Sequence, residues 1–119
     1  MSKTVIVVAE NLFLLPAIDA QIKSAGLVPG GLRGKGILEA VRQQQPVALV
    51  IQLTATGKDP MGSVVQLRKD ESKLKVIGFC DHELTTLMDQ AIAAGYDEVV
   101  TNGAVSKQLG AWLKATVPP

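Results

Sequence analysis

The chain has 119 residues, of which 47% are hydrophobic and 19% are charged, a size and composition typical of one globular domain and unlike a disordered chain. The formal net charge of +1 gives no bulk electrostatic reason to expect a nucleic-acid or membrane partner, and a single cysteine excludes an internal disulfide. The first apolar stretch, 5–9, is shorter than the ~7–15 residues of a signal peptide, and no run approaches the ~18 apolar residues of a membrane span. We therefore expect a cytoplasmic protein.

Blocks rich in β-branched residues alternate along the chain with segments in which apolar residues recur at helical spacing. The blocks predict strands at 5–9, 27–33, 47–53, 75–80 and 98–101. The first helix is predicted to begin at 14 or 15, because Pro16 is tolerated only in a first turn, and to end before Gly26. The other helices are predicted at 36–45, 63–70, 84–92 and 105–113, the last one ending before Pro118.

Five strands that alternate with five helices predict an α/β fold. Strands joined by helices run parallel, so we expect a doubly wound five-stranded parallel sheet, (βα)5, in a single domain over 1–119. The second predicted strand reads LVPGGLR, and a proline with two glycines is acceptable only at the edge of a sheet. In such a sheet, ligands bind at the carboxyl ends of the strands.

Two polar residues follow the predicted first and third strands. Gln52 ends the buried block 47–51, where many such domains place a carboxylate, and Glu10 follows the first strand. A carboxylate at position 52 would repel Glu10 unless a metal ion lay between them, whereas an amide donates to Glu10 or to a backbone carbonyl. The residues therefore predict a metal-free pocket with Gln52 as a polar plug. Two alternatives are a Gln52 that orients a water or ligand, and a Glu10 that retains a metal ion.

Four stretches of the chain resemble the motifs of response-regulator receiver domains (CheY-like). They are VVAEN at 7–11, LVIQL at 49–53, VIGFC at 76–80 and AIAAGYDEVVTNG at 91–103, and in order and spacing the resemblance covers essentially the whole chain. It implies the flavodoxin-like strand order 2-1-3-4-5. It also implies a phosphorylation pocket in which the acceptor aspartate falls at Gln52, the acidic pair at Ala9 and Glu10, the switch hydroxyl at Cys80 and the lysine at Asn102.

The substitutions in that implied pocket all weaken phosphoryl transfer. The amide of Gln52 is not a usable nucleophile, and Glu10 alone is a poor site for magnesium, which takes several oxygen ligands. Asn102 lacks the cation that would hold a bound phosphate. The resemblance therefore implies a degenerate pseudo-receiver that is not an enzyme and uses no metal or cofactor.

Two further motifs suggest chemistry that we do not expect the chain to perform. Cys80 and His82 suggest thiol catalysis, but Asp81 would raise the pKa of the thiol, and a free cysteine is most often a small buried residue. A redox role for Cys80 stays open. GGLRGKG at 30–36 suggests a phosphate-binding loop, but Gly36 stands where a P-loop has serine or threonine. We expect a flexible turn there.

The surface of the fourth helix, fifth strand and fifth helix is the docking face that the resemblance implies. Its candidate residues are Met88, Tyr96, Asn102 and Trp112, although Trp112 also fits core packing. We expect a phosphorylation-independent signalling or assembly module that binds another signalling protein or a second copy of itself through this face. The alternative is a small-ligand sensor that uses the strand-end pocket of Glu10, Gln52, Cys80 and the GGLRGKG turn.

Overall fold

The computed structural model describes residues 2–117 as five strands and five helices in strict alternation. Their bounds are β1 Thr4–Val8, α1 Leu15–Ser24, β2 Val28–Gly30, α2 Ile37–Gln44, β3 Ala48–Gln52, α3 Pro60–Lys69, β4 Lys75–Cys80, α4 Thr85–Ala94, β5 Glu98–Thr101 and α5 Asn102–Thr116. All strands run parallel in the order β2-β1-β3-β4-β5. The predicted flavodoxin-like (βα)5 architecture is confirmed, with LVPGGLR at an edge.

The sheet is buried on both faces, which explains the nearly uninterrupted apolar block at β3. Leu49 and Ile51 contribute to one core cluster, together with residues of α2, α3 and α4. Ala48 and Val50 contribute to the other cluster, with α1 and α5. Alternate residues of a strand point to opposite faces, so one five-residue strand serves both cores.

The predicted start of α1 and its glycine stop are confirmed. Pro16 lies in the first turn of α1, and the chain leaves the helix through Gly26, whose φ of 77° is the left-handed conformation that glycine adopts without strain. Within residues 2–117, no helix is long and apolar enough to cross a membrane. The predicted stop of the last helix at Pro118 lies outside the described residues.

Most predicted boundaries lie within two residues of the structure, and three elements, β2, α3 and α5, differ by three residues at a boundary. β2 is only three residues long, because the glycines that follow Pro29 do not continue the ladder. α3 begins at Pro60, three residues before the predicted start, because the Asp59 side chain accepts a hydrogen bond from the Gly62 amide at 3.1 Å and caps the helix. α5 begins at Asn102 because Thr101 caps it, accepting from the Ala104 amide at 3.2 Å.

The guanidinium group of Arg68 ties α3 to the far end of α4. It donates to the Gly95 carbonyl at 2.9 Å and to the carbonyls of Ser72 and Leu74 at 3.0 and 2.8 Å. It also lies 2.9 Å from Asp97 Oδ2, which in turn accepts from the Val76 amide. One side chain thus fixes the C-terminal ends of two helices and the start of β4. The sequence reading did not identify this cluster.

Candidate functional site

The carboxyl ends of β1 and β3 lie side by side, and the side chain of Gln52 joins the loops that follow them. Val8 pairs with Ile51, so Gln52 extends one position beyond the end of β1. Its Oε1 accepts hydrogen bonds from the backbone amides of Glu10 at 2.8 Å and Asn11 at 3.0 Å. Its Nε2 donates to Thr54 Oγ1 at 3.1 Å. The polar atoms of this amide are therefore engaged within the two loops.

The Glu10 side chain, in the loop after β1, also joins this loop to the loop after β3. It accepts a hydrogen bond from the backbone amide of Thr56, in the loop between β3 and α3. Together with the two amides bound by Gln52, this contact forms a strand-end latch, which comprises Glu10, Asn11, Gln52 and Thr56. These hydrogen bonds are consistent with the predicted polar plug, which stays a prediction, but the predicted donation of Gln52 to Glu10 or to a backbone carbonyl is wrong. The amide accepts from the backbone and donates to a hydroxyl.

The residues at these strand ends do not fit a magnesium ion. The Oε1 of Gln52 already accepts two N–H groups, which occupy both lone pairs of a carbonyl oxygen. Glu10 supplies one carboxylate, and that group accepts from Thr56. Over residues 2–117, no three histidine, cysteine, aspartate or glutamate side chains come together in a way that would hold a metal ion. A hard divalent cation takes more oxygen ligands than this edge offers.

Cys80 ends β4 as a buried side chain in the core that α2, α3 and α4 cover. It is 2% exposed. Burial raises the pKa of the Cys80 thiol, and the nearby Asp81 carboxylate raises that pKa further. The His82 side chain is exposed, with Nδ1 3.3 Å from Asp81 Oδ1. A protonated, buried thiol is a poor nucleophile, so the expectation against thiol catalysis gains a physical basis.

The remaining pocket positions from the sequence analysis lie where their strands and helices place them. Ala9 is partly buried and packs against the core beneath α1 and α5. Asn102 is partly buried and is the first residue of α5, directly after the capping Thr101. The structure thus brings Glu10 and Gln52 together through hydrogen bonds.

Tyr96 is a core residue, so its assignment to a docking surface is wrong. It is 5% exposed, and its hydroxyl donates to the Pro60 carbonyl at 2.8 Å. The ring lies against β4 at Gly78, where an added Cβ would be 2.8 Å from a ring carbon. Burial raises the pKa of Tyr96 above its ordinary value, and the Asp59 carboxylate raises it further. Gly78 has no side chain, which leaves room for the Tyr96 ring. The sequence alone does not reveal that these two residues are in contact.

The exposed face of α4 carries an apolar stripe that includes Met88. Leu84, Met88 and Ile92 are spaced four residues apart and therefore lie on one side of the helix. Ile92 is 61% exposed, Leu84 is also exposed, and Met88 is partly buried against the core. Of these three residues the sequence analysis named only Met88 as a docking candidate, because apolar residues on two neighbouring faces of α4 gave a single periodic signal.

A groove of about 440 Å³ lies between β5 and α5. The side chain of Trp112 is partly buried and packs against the core, as the core-packing alternative predicts, and it also lines this groove. Its role in docking stays a prediction. The lining residues are Ile77, Glu98, Val100, Ala104, Val105, Gln108, Leu109, Ala111 and Trp112. Glu98 is exposed and places a carboxylate at an otherwise largely apolar lining.

The loop between β1 and α1 exposes two large apolar side chains, which form an apolar tip of Leu12 and Phe13. Leu12 is 75% exposed and Phe13 is 96% exposed. The sequence reading passed over them, although an apolar pair between Asn11 and Pro16, outside any predicted strand or helix, was the available signal. Exposed apolar residues of this size often mark interaction sites when they cluster.

No family model and no curated protein sequence matches the chain. Solved structures of receiver domains do. A structure from Chloroflexus aurantiacus, described as a candidate response regulator, has 14% identity, covers 97% of both chains and gives a TM-score of 0.80. The receiver domain of the sensor histidine kinase PA1611 from Pseudomonas aeruginosa, with magnesium coordinated in its active-site cleft, has 16% identity, a TM-score of 0.68, and coverage of 95% of this chain and 98% of that one.

The beryllofluoride-activated NtrC4 receiver domain, solved as a dimer, has 18% identity, covers 83% of each chain and gives a TM-score of 0.66. Sequence identities this low establish similarity of fold. The chain therefore has the flavodoxin-like α/β fold of response-regulator receiver domains.

Proposed function

We propose that this chain is a non-catalytic signalling or assembly module that acts without phosphorylation, by binding another signalling protein or a second copy of itself. The observation that carries the proposal is the amide of Gln52. The resemblance of LVIQL to the third-strand motif implies that Gln52 replaces the phosphate-accepting aspartate of receiver domains, and its oxygen is hydrogen-bonded to the backbone amides of Glu10 and Asn11.

The chemistry of the strand ends supports independence from phosphorylation. Phosphoryl transfer to a carboxylate needs a nucleophilic oxygen and a cation that neutralises the developing charge on the phosphoryl group. An amide oxygen that already accepts two N–H groups is a poor substitute for the nucleophile, and the single Glu10 carboxylate is a poor magnesium site. Asn102 brings no positive charge to the start of α5. The strand ends therefore offer a phosphoryl donor neither a good nucleophile nor the cation that phosphoryl transfer requires.

Protein binding is supported by the exposed apolar residues of the α4–β5–α5 face. The stripe of Leu84, Met88 and Ile92 lies on α4, and the groove beside Trp112 lies between β5 and α5. The NtrC4 receiver domain, which has a similar fold, was solved as a dimer. A module of this kind works through the shape and polarity of such a surface.

Phosphorylation independence is tested by incubating the protein with acetyl phosphate and Mg²⁺, beside a receiver domain that retains its aspartate. We expect no phosphoryl addition by intact-mass spectrometry and no change in Trp112 fluorescence. Stable phosphorylation of this chain would overturn the proposal.

Protein binding is tested by affinity capture with the wild type, Ile92→Asp and Val28→Asp. Val28 is an exposed apolar residue at the opposite edge of the sheet and serves as the control. We expect a partner retained by the wild type and by Val28→Asp to be lost with Ile92→Asp. A nucleotide or metabolite that raises the melting temperature by several degrees would instead favour the small-ligand sensor.

A further inference from the structure

The charged residues of this chain are unevenly distributed along the sequence. Residues 76–106 contain five carboxylates and no lysine or arginine, whereas the other residues contain all 12 of the chain's lysines and arginines and six of its 11 carboxylates. The formal charge of the stretch 76–106 is therefore −5, and the rest of the chain carries +6. The stretch comprises nearly all of β4, all of α4 and β5, and the start of α5. A local charge of this size favours a partner of the opposite sign.

Three of the five carboxylates lie in the loop before α4 or on the helix itself. Asp81 and Glu83 precede the helix, Asp89 lies in its second turn, and all three residues are exposed. The Asp81 carboxylate lies 3.3 Å from the imidazole of His82. Within residues 2–117, neither Glu83 nor Asp89 forms an ion pair. At least two negative charges at this end of α4 are therefore available to a partner.

The lysine and arginine side chains around α4 do not cancel these charges. Arg68 lies 2.9 Å from Asp97 at the C-terminal end of α4, so its charge is paired. Lys58, in the loop after β3, stands directly beside Asp59. The other lysines lie either between the end of α3 and the start of β4, beside the C-terminal end of α4, or on α5, which covers the opposite face of the sheet: Lys69, Lys73, Lys75, Lys107 and Lys114. The first two turns of α4 and the loop before them therefore carry a net negative charge.

The same part of α4 exposes the apolar stripe described above. Leu84 is 38% exposed and Ile92 is 61% exposed, with Met88 between them. Asp89 lies three residues before Ile92 and is therefore its neighbour on the helix surface. Glu83 directly precedes Leu84. With a rise of 1.5 Å per residue, the stripe is about 12 Å long, and both of its ends are close to a free carboxylate.

An apolar stripe flanked by carboxylates is complementary to a helix whose own apolar stripe is flanked by lysine or arginine. The apolar side chains of two such helices exclude water from each other, while the cations attract the carboxylates and speed the encounter. Pairing α4 with α4 of a second copy would instead bring Glu83 and Asp89 close to their own kind. An anionic membrane surface would repel the same carboxylates.

We propose that α4 binds a basic amphipathic helix of a partner protein through its acidic–apolar face, which comprises Glu83, Leu84, Met88, Asp89 and Ile92. This inference deepens the proposed function, since it rests on the chain being a protein-binding module and states the chemistry of the partner.

The probe that tests this chemistry is a fluorescein-labelled peptide of about 18 residues, long enough to form a helix, with leucine on one side and lysine on both flanks. A second peptide has glutamate in place of every lysine. We expect saturable binding of the lysine peptide by fluorescence anisotropy, and no measurable binding of the glutamate peptide. The affinity should fall as the NaCl concentration rises from about 50 to 300 mM, because salt screens exposed charges.

Three variants test whether the peptide binds at the acidic–apolar face. Asp89→Lys should weaken binding at least about fivefold, because it removes an attraction and adds a repulsion. Ile92→Ser should weaken binding at least about tenfold without changing the net charge, because an apolar side chain is lost from the contact. Asp19→Lys is the control, since it changes the net charge as Asp89→Lys does but lies on α1, on the other face of the sheet. Its affinity should stay within about twofold of the wild type, the range of a surface substitution away from the site.

Four results would overturn the inference. They are a lysine peptide that does not bind at millimolar protein, a glutamate peptide that binds equally well, an Asp89→Lys variant that binds as the wild type does, and equal losses for Asp89→Lys and Asp19→Lys. A wild type that dimerises in analytical ultracentrifugation, when Ile92→Ser does not, would also overturn it, because a second copy would then cover α4.

Failure of this inference can be distinguished from failure of the proposed function. If affinity capture shows a partner that Ile92→Asp loses, while the lysine peptide does not bind, the proposed function stands and the basic chemistry of the partner is wrong. The acetyl phosphate experiment tests the proposed function independently of either peptide.

Discussion

Replacing Gln52 with alanine tests whether the strand-end latch holds the loop between β1 and α1 in place. The substitution removes the acceptor of two backbone N–H groups, those of Glu10 at 2.8 Å and Asn11 at 3.0 Å. A typical intramolecular hydrogen bond contributes about 0.5–1.5 kcal/mol to the free energy of unfolding. Two such bonds suggest a loss of about 1–3 kcal/mol. Because Glu10 is exposed and water replaces part of the contact, we expect about 1–2 kcal/mol.

The expected change in melting temperature follows from the length of the chain. An unfolding entropy of about 2.1 cal/mol/K per residue, over 119 residues, gives about 0.25 kcal/mol/K. A loss of 1–2 kcal/mol therefore lowers the melting temperature by about 4–8 °C. Hydrogen exchange gives a local readout, because the Asn11 amide should exchange about fivefold faster for each kcal/mol of latch stability lost.

Gln66→Ala is the matched control. Gln66 lies exposed on α3, and its hydrogen bond is local, from Nε2 to Asp70 Oδ1 at 3.0 Å. Its replacement should change the free energy of unfolding by less than about 0.5 kcal/mol. Equal melting temperatures for Gln52→Ala and Gln66→Ala, with unchanged exchange at Asn11, would show that the latch contributes nothing to stability.

The other predictions concern side chains that fix the helices around the sheet. Tyr96→Phe should lower the free energy of unfolding by about 1 kcal/mol near neutral pH, since the Pro60 carbonyl loses its donor. The pKa of Tyr96 is raised in the folded protein, so its contribution is fully present below the ordinary tyrosine pKa of about 10 and is lost as pH rises through the folded value. The Cys80 thiol, whose pKa is also raised, is present in both proteins, so urea titrations should show a larger alkaline loss of stability in the wild type than in Tyr96→Phe. Arg68→Ala should cost about 3 kcal/mol in the same titrations because four hydrogen bonds are lost, and Arg68→Lys should restore little of it. Gly78→Ala should lower the melting temperature by an amount equivalent to about 1–2 kcal/mol, since its Cβ would lie 2.8 Å from the Tyr96 ring; an unchanged melting temperature would mean that the ring moves freely.

The sheet was predictable because β-branched residues in this sequence mark its strands with little ambiguity. The bounds of β4 and β5 match the predicted 75–80 and 98–101. The starts of α3 and α5 were placed three residues late, because the segments that follow the caps Asp59 and Thr101 contain proline or glycine and reach their buried apolar residues, Val64 and Val105, only after the first three residues. Apolar periodicity locates the part of a helix that is buried, whereas a cap locates where the helix begins.

The candidate site was predictable in location and less so in detail. A polar residue after a buried strand reliably falls at the carboxyl edge of the sheet, which placed Gln52 beside Glu10. Which atoms bind which depends on loop geometry, so the acceptor role of Gln52 was missed. Tyr96 was misplaced because its burial depends on Gly78, which is separated from it in sequence by α4 and is adjacent to it in space. Such pairings arise from tertiary packing and leave no periodic signal.

Both edge strands of the sheet are short, which limits aggregation through the sheet edges at high protein concentration. β2 has three residues, one of them Pro29, and β5 has four. A border strand of this length offers few unpaired peptide groups on which another chain could add a strand, and proline has no N–H to give. Copies that gather through their side chains therefore have little opportunity to convert into cross-β fibrils, and dilution should return them to separate, folded molecules.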